Sequence, residues 1–238
     1  MEAAVAILRA DEPEDSVLLI RRAESPDDSW SGQLCFPGGR RDGGDSDALG
    51  TALRELAEEC GILLPRDSLE TALPLATARR RAGPYLAVAP FVFHVPFQLP
   101  SRLDPREAVE ARWVPMSVLR DPLRHVLRNI PGFPRDLLFP AVDLEVVPLW
   151  GFTYRLITDW LGLASKRPGD GEAAAEEVRR FLRGRGAIDI DEVLAHFRGP
   201  SPLVHAINRM QVKADSVTVW GPTYEEYVIP APAPGPRP

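Results

Sequence analysis

Strand-like and helix-like periods alternate along this chain, which places it in the α/β class, of the α+β kind. Three observations carry the assignment. Two aliphatic runs, 3–8 and 16–21, flank a polar turn at 11–15 and read as strands. Leu49, Leu53 and Leu56 then recur at helical spacing, ahead of Gly61, which stands where a left-handed C-terminal cap belongs. A long apolar run, 85–95, follows that helix and reads as a central strand.

The remaining elements follow in order. Residues 22–31 (RAESPDDSWS) are a loop by composition. Residues 32–36 return to a strand that Pro37-Gly38-Gly39 ends, and glycines there let a ligand or metal approach the main chain closely. Past the helix, 73–78 reads as a strand and 79–84 as a basic turn with Arg79, Arg80 and Arg81. His94, inside the long strand, has no histidine or cysteine near it and is read as an ordinary strand residue. Residues 144–163 give a strand and then an amphipathic helix with Leu156, Ile157, Trp160 and Leu161 as its apolar side. A polar linker with Pro and Gly ends this region. Three short helices are expected at 173–182, 191–196 and 201–210, then a hairpin of 217–220 and 226–229 across Gly221-Pro222. The expected division is a principal domain at 1–164, a linker at 165–172, a small helical subdomain with hairpin at 173–229, and a disordered proline-rich tail at 230–238.

Composition narrows the function. The chain has 238 residues, 45% hydrophobic and 26% charged, enough to bury a substantial core. A net charge of −6 argues against general nucleic-acid or membrane-surface binding, because phosphate-binding surfaces carry a basic excess. Two cysteines, Cys35 and Cys60, make no disulfide framework. The N-terminal residues have no basic region ahead of an apolar one, and no apolar run is long enough to span a bilayer. A reduced, cytoplasmic protein is expected.

The chemistry concentrates at Arg54-Glu55-Leu56-Ala57-Glu58-Glu59-Cys60-Gly61-Ile62. On a helix, Glu55, Glu58 and Glu59 fall at i, i+3 and i+4, so three carboxylates crowd one side and repel one another. A divalent cation that prefers oxygen ligands is a natural way to offset that repulsion.

This stretch resembles the Nudix box, G-x5-E-x7-R-E-U-x-E-E-x-G-U with U aliphatic, and every fixed position from Arg54 to Ile62 matches. The first half departs from the pattern. Gly39 lies one position further from Arg54 than the pattern asks, and Ser46 stands where a glutamate is expected, with Asp45 and Asp47 as the nearest acids. Gly32, Phe36-Pro37-Gly38-Gly39 and Trp150-Gly151-x-Thr153 are similar to signatures of coenzyme A pyrophosphatases, although Asp28 stands where those have an arginine. Residues 107–119 resemble the pattern after the box, with Glu107 at the acidic position and Glu110 as runner-up.

The resemblance implies an α/β/α sandwich with a mixed sheet, and a divalent-metal-dependent hydrolase of a diphosphate in a nucleoside diphosphate derivative. It implies Mg²⁺ or Mn²⁺ held by Glu55, Glu58 and Glu59 with the Gly38 carbonyl. Arg54 would orient the glutamates. The general base would be a box glutamate or Glu107. Arginines such as Arg22, Arg40, Arg80 and Arg81 would face a nucleotide-type small-molecule substrate. The alternative is a ligand-sensing transcriptional regulator, since three helices and a hairpin have the element order of a winged helix. Residues 165–238 hold ten basic and ten acidic side chains, so the basic stripe of a DNA reader is missing. A packing or homodimer-forming appendage fits that segment better.

Overall fold

The computed structural model describes residues 2–25, 30–78, 85–164, 169–183, 185, 188–197 and 202–231. Asp28, Arg79, Arg80, Arg81, the first half of the linker and nearly all of the proline-rich tail therefore lie outside the described residues. The chain divides into two compact units, 1–119 and 120–238.

The first unit begins with β1 (Glu2–Glu12) and β2 (Ser16–Arg22), an antiparallel pair across the polar turn that the charged residues at 11–15 mark. β3 (Leu34–Cys35) and β4 (Gly38–Arg40) follow, then the helix α1 (Ala48–Cys60). After α1 come β5 (Leu69–Ala72), β6 (Ala76–Ala78), β7 (Leu86–Phe97), β8 (Ala108–Pro115) and the short α2 (Met116–Arg120). The sheet is mixed. β1 runs parallel to β7 over nearly its whole length, and its other pairings are antiparallel. The strand order is β3-β2-β1-β7-β5, with β4 on β1, β6 on β7 and β8 on β2.

One face of this sheet carries Ala4, Ala6, Leu8, Leu18, Ile20 and Phe93, which pack with Ala52, Leu56 and Cys60 of α1. The small alanines of β1 let the helix lie close to the strand, and dry contact there supplies the main driving force for docking α1. Asp47 caps the helix by accepting the Gly50 N–H at 2.8 Å. Gly61 ends it at φ 67°, a left-handed conformation that glycine adopts at little cost, with its N–H donated to the Ala57 carbonyl.

The second unit differs from the expected division. Its sheet contains β9 (His125–Asn129), β10 (Leu137–Val142) and β11 (Leu149–Trp150), all assigned from sequence to the principal domain. After α3 (Gly151–Trp160), α4 (Asp170–Leu182) and α5 (Ile190–Phe197), the chain adds β12 (Arg209–Val212), β13 (Ser216–Trp220) and β14 (Glu226–Pro230). β12 pairs with β10, giving the order β11-β10-β12-β13-β14 with β9 on β10. Leu127 and Leu138 share one core with Val178, Phe197, Met210, Val217 and Ile229, so residues on both sides of position 164 fold as one unit. The expected helix at 201–210 is also corrected. Residues 202–206 form a 3-10 turn and 209–212 a strand, because Met210 and Val212 alternate into that core. The hairpin across Gly221-Pro222 forms as expected.

Among the described residues no helix is long and apolar enough to cross a membrane.

Candidate active site

The three carboxylates of α1 do not share one environment. The Glu58 side chain is 54% exposed, Glu55 13% and Glu59 only 3%. Glu59 follows Leu56 by three residues and precedes the buried Cys60, so it lies at the edge of the buried arc of the helix rather than on its wet side. Burial pushes the Glu59 carboxyl from its ordinary 4.5 up to about 8, against the pull of the Gly38 N–H and of Arg22. Burial raises Glu55 as well, partly countered by Arg54.

Arg54 lies among these groups. Its Nη1 donates to Glu58 Oε2 at 2.6 Å, and its Nη2 is 2.9 Å from Glu55 Oε1. The repulsion read from the sequence is thus offset by a cation on the same helix. Arg54 is itself held from the other side. Its Nε and Nη2 donate to the two oxygens of Asp45 at 2.9 and 3.1 Å, and Nη2 also reaches the Arg40 carbonyl. Asp45 accepts further bonds from Thr51 Oγ1 and the Asp42 N–H, and the Arg54 guanidinium holds its carboxyl well below the usual range. The box position occupied by Ser46 therefore has a neighbour, Asp45, that reaches the arginine. Asp47 instead caps the helix and pairs with Arg66.

The double glycine fits closely under the helix. The Gly38 N–H donates to Glu59 Oε2 at 2.8 Å. A Cβ at Gly38 would lie 2.4 Å from the Ala4 carbonyl oxygen, and one at Gly39 would lie 2.4 Å from Glu55 Oε1. Close approach of main chain thus requires glycine at position 38, while at Gly39 the near neighbour is the end of the Glu55 side chain.

Of the other expected residues, Arg22 ends β2 beside α1, with Nη1 3.5 Å from Glu59 Oε1. Arg40 is exposed at the end of β4. The Glu107 carbonyl accepts the Ala23 N–H at 2.8 Å, and its side-chain charge is felt by both Glu55 and Glu59. Glu110 pairs across the sheet with Arg21, between Ala111 and a register shift, and so belongs to the face turned away from α1. Asp45 and Thr51 are the residues that sequence reasoning left without a role. The missing box glutamate was the signal that an acid one position away could serve.

Among the described residues no three His, Cys, Asp or Glu side chains converge closely enough to hold a metal ion. Glu55 and Glu58 turn to Arg54, and Glu59 turns to Gly38 and Arg22. The donor set nevertheless suits a hard cation. It consists of carboxylate oxygens beside a main chain without side chains at Gly38 and Gly39, and one carboxylate is buried with too little positive charge to keep its ordinary acidity.

The family model described as NUDIX domain matches residues 1–135, more than half of the chain, which therefore belongs to the Nudix family. The chain is similar to a probable nudix hydrolase of Schizosaccharomyces pombe, 34% identical over 151 residues that cover 61% of this chain and 50% of that protein. It is also similar to an uncharacterised Nudix hydrolase of Yersinia pestis, 37% identical over 98 residues that cover 41% of this chain and 47% of that one. The chain spans about half the length of the curated relatives it matches. Among solved structures, a Nudix hydrolase from M. smegmatis aligns with 28% identity over 48% of this chain and 69% of that chain, at a TM-score of 0.38. Trp150-Gly151-x-Thr153 lies beyond the family match, in β11 and α3 of the second unit.

Proposed function

We propose that this chain is a divalent-metal-dependent hydrolase that splits a diphosphate linkage in a nucleoside diphosphate derivative. The observation that carries the reading is the α1 face: three graded carboxylates, one of them deeply buried, laid over the Gly38-Gly39 main chain and arranged by Arg54. Glu55, Glu58 and Glu59, with the Gly38 carbonyl, would hold Mg²⁺ or Mn²⁺. That ion would neutralise the diphosphate and acidify a bound water. Arg54 fixes the carboxylates and is kept from substrate by Asp45. Glu107 or a box glutamate takes the proton from water, and Glu107 is favoured over Glu110 because its charge acts on Glu55 and Glu59 while Glu110 lies on the sheet face turned away from α1. Arg40 and the arginines at 80 and 81 are the remaining candidates for contacts with the phosphates.

Coenzyme A or an acyl derivative is the proposed substrate, on the motifs at Gly32, Phe36-Pro37-Gly38-Gly39 and Trp150-Gly151-x-Thr153. The test is to incubate the purified chain and Mg²⁺ with coenzyme A, ADP-ribose, NADH, diadenosine polyphosphates and oxidised nucleotides. Release of a bisphosphorylated adenosine from coenzyme A is expected. Rapid hydrolysis of another member of that panel with coenzyme A untouched would reject the substrate and keep the reaction.

A further inference from the structure

The second unit brings together three side chains that the proposed chemistry does not use. His125 opens β9, Tyr154 lies on the buried side of α3, and His205 stands in the 202–206 turn between the buried Val204 and Ala206. Tyr154 Oη lies 3.3 Å from His125 Nδ1 and 3.2 Å from His205 Nδ1, and the two imidazole rings are 4.5 Å apart between centres. One oxygen and two ring nitrogens thus converge from three elements well separated along the chain. His125 is 1% exposed and Tyr154 4%, while His205 is half-buried, which leaves the cluster one side towards solvent. Burial and the neighbouring His125 hold the His205 imidazole down at about 4, so that ring is neutral at ordinary pH, and burial raises the Tyr154 hydroxyl.

We propose that His125, Tyr154 and His205 form a transition-metal site, best suited to Zn²⁺, which binds through the two Nδ1 atoms and the tyrosine oxygen. The spacing carries the argument. Ligand atoms about 2.0–2.1 Å from a tetrahedral ion stand about 3.3–3.4 Å from one another. The two Tyr154 contacts, at 3.3 and 3.2 Å, lie close to that length, whereas hydrogen bonds of a hydroxyl are usually shorter, about 2.7–3.0 Å. Two imidazoles and a phenolate are a donor set for zinc rather than for Mg²⁺, which takes carboxylate, carbonyl and water oxygens. Binding forms two Zn–N bonds and one Zn–O bond and breaks the phenolic O–H, whose proton goes to solvent. Water on the His205 side completes the tetrahedron. The ion ties β9, which precedes the linker, to a turn that follows it, so its binding energy stabilises the second unit.

The experiment titrates the full chain with Zn²⁺ and, separately, with Co²⁺, in an excess of Mg²⁺ that competes for the carboxylates of α1. Zn²⁺ is expected to produce the near-ultraviolet difference spectrum of an ionised tyrosine. Co²⁺ is expected to give the intense visible absorption of a tetrahedral ion rather than the weak absorption of an octahedral one. His205→Gln should weaken Zn²⁺ binding by about a hundredfold, and Tyr154→Phe should abolish the tyrosine signal, with circular dichroism to follow the fold of each. The first two signals come from the unsubstituted chain and decide the question even if a variant unfolds. Zn²⁺ that fails to bind, or binds without ionising a tyrosine, overturns the proposal. A tyrosine signal that survives Tyr154→Phe, or metal binding lost in Glu59→Gln and kept in His205→Gln, places the ion elsewhere and overturns it as well.

Discussion

Glu59 is where the fold and the proposed chemistry conflict most, and replacing it with glutamine exposes that conflict. A carboxyl whose folded pKa, about 8, lies above its ordinary 4.5 holds its proton more tightly in the native state than in the unfolded chain. Without metal, its effect on stability is neutral below about pH 4.5 and grows more unfavourable as pH rises towards 8. Above pH 8 the full penalty of an ionised buried carboxylate is present. The rise from 4.5 to about 8 sets a ceiling of about 5 kcal/mol, and local relaxation and water entry reduce it to a few kcal/mol. Glutamine keeps an oxygen to accept the Gly38 N–H and has no charge to bury. Urea unfolding in EDTA, at intervals between pH 5 and 9, measures the difference directly. The unsubstituted chain should lose about 2–4 kcal/mol more than Glu59→Gln across that window, and Mg²⁺ should recover the loss only in the unsubstituted chain. Parallel pH profiles for the two proteins would show that Glu59 is not a strained buried acid.

Four further outcomes follow from the geometry. Gly38→Ala drives a methyl against the Ala4 carbonyl oxygen, which is main chain and cannot turn aside, so it should cost at least about 1–3 kcal/mol in a thermal melt. Gly39→Ala meets only the end of the Glu55 side chain, so turnover should fall with a smaller change in melting temperature. Asp45→Asn removes the anchor of Arg54 and should cut turnover by about tenfold in steady-state kinetics, whereas Ser46→Ala should leave it unchanged. Deleting residues from Ser165 onward removes the core partners of Leu127 and Leu138, so circular dichroism and light scattering should report an unfolded, aggregating second unit rather than a clean truncation.

The helix, its C-terminal cap at Gly61 and its carboxylates were legible because each depends on neighbours within a few residues. The N-terminal cap Asp47 is just as local, but the sequence marked it only as one of the acids nearest Ser46. Asp45 was harder to assign because the longer loop shifts the acid by one position, and only the folded turn at 42–45 shows which carboxylate reaches Arg54. The misplaced boundary has a different cause. β9 and β10 look the same in sequence whichever sheet they join, and the partner of β10, β12, lies some seventy residues later, across the linker. The alternation of Met210 and Val212 with Val217 and Val219 was a readable strand signal, outweighed by the helical reading of 201–210. The separate surroundings of Glu55, Glu58 and Glu59 could not be read from spacing, because exposure on a helix is set by the sheet it packs against.

Phosphorus NMR of Mg²⁺-dependent diphosphate cleavage, in the unsubstituted chain and in Glu58→Gln and Glu59→Gln, tests the central claim most directly. The account predicts that at least one nucleoside diphosphate derivative is split into two phosphorylated products and that EDTA stops the reaction. Each substitution should lower turnover by about a hundredfold or more without loss of the folded state. Turnover near that of the unsubstituted chain in both variants at saturating Mg²⁺ would contradict it.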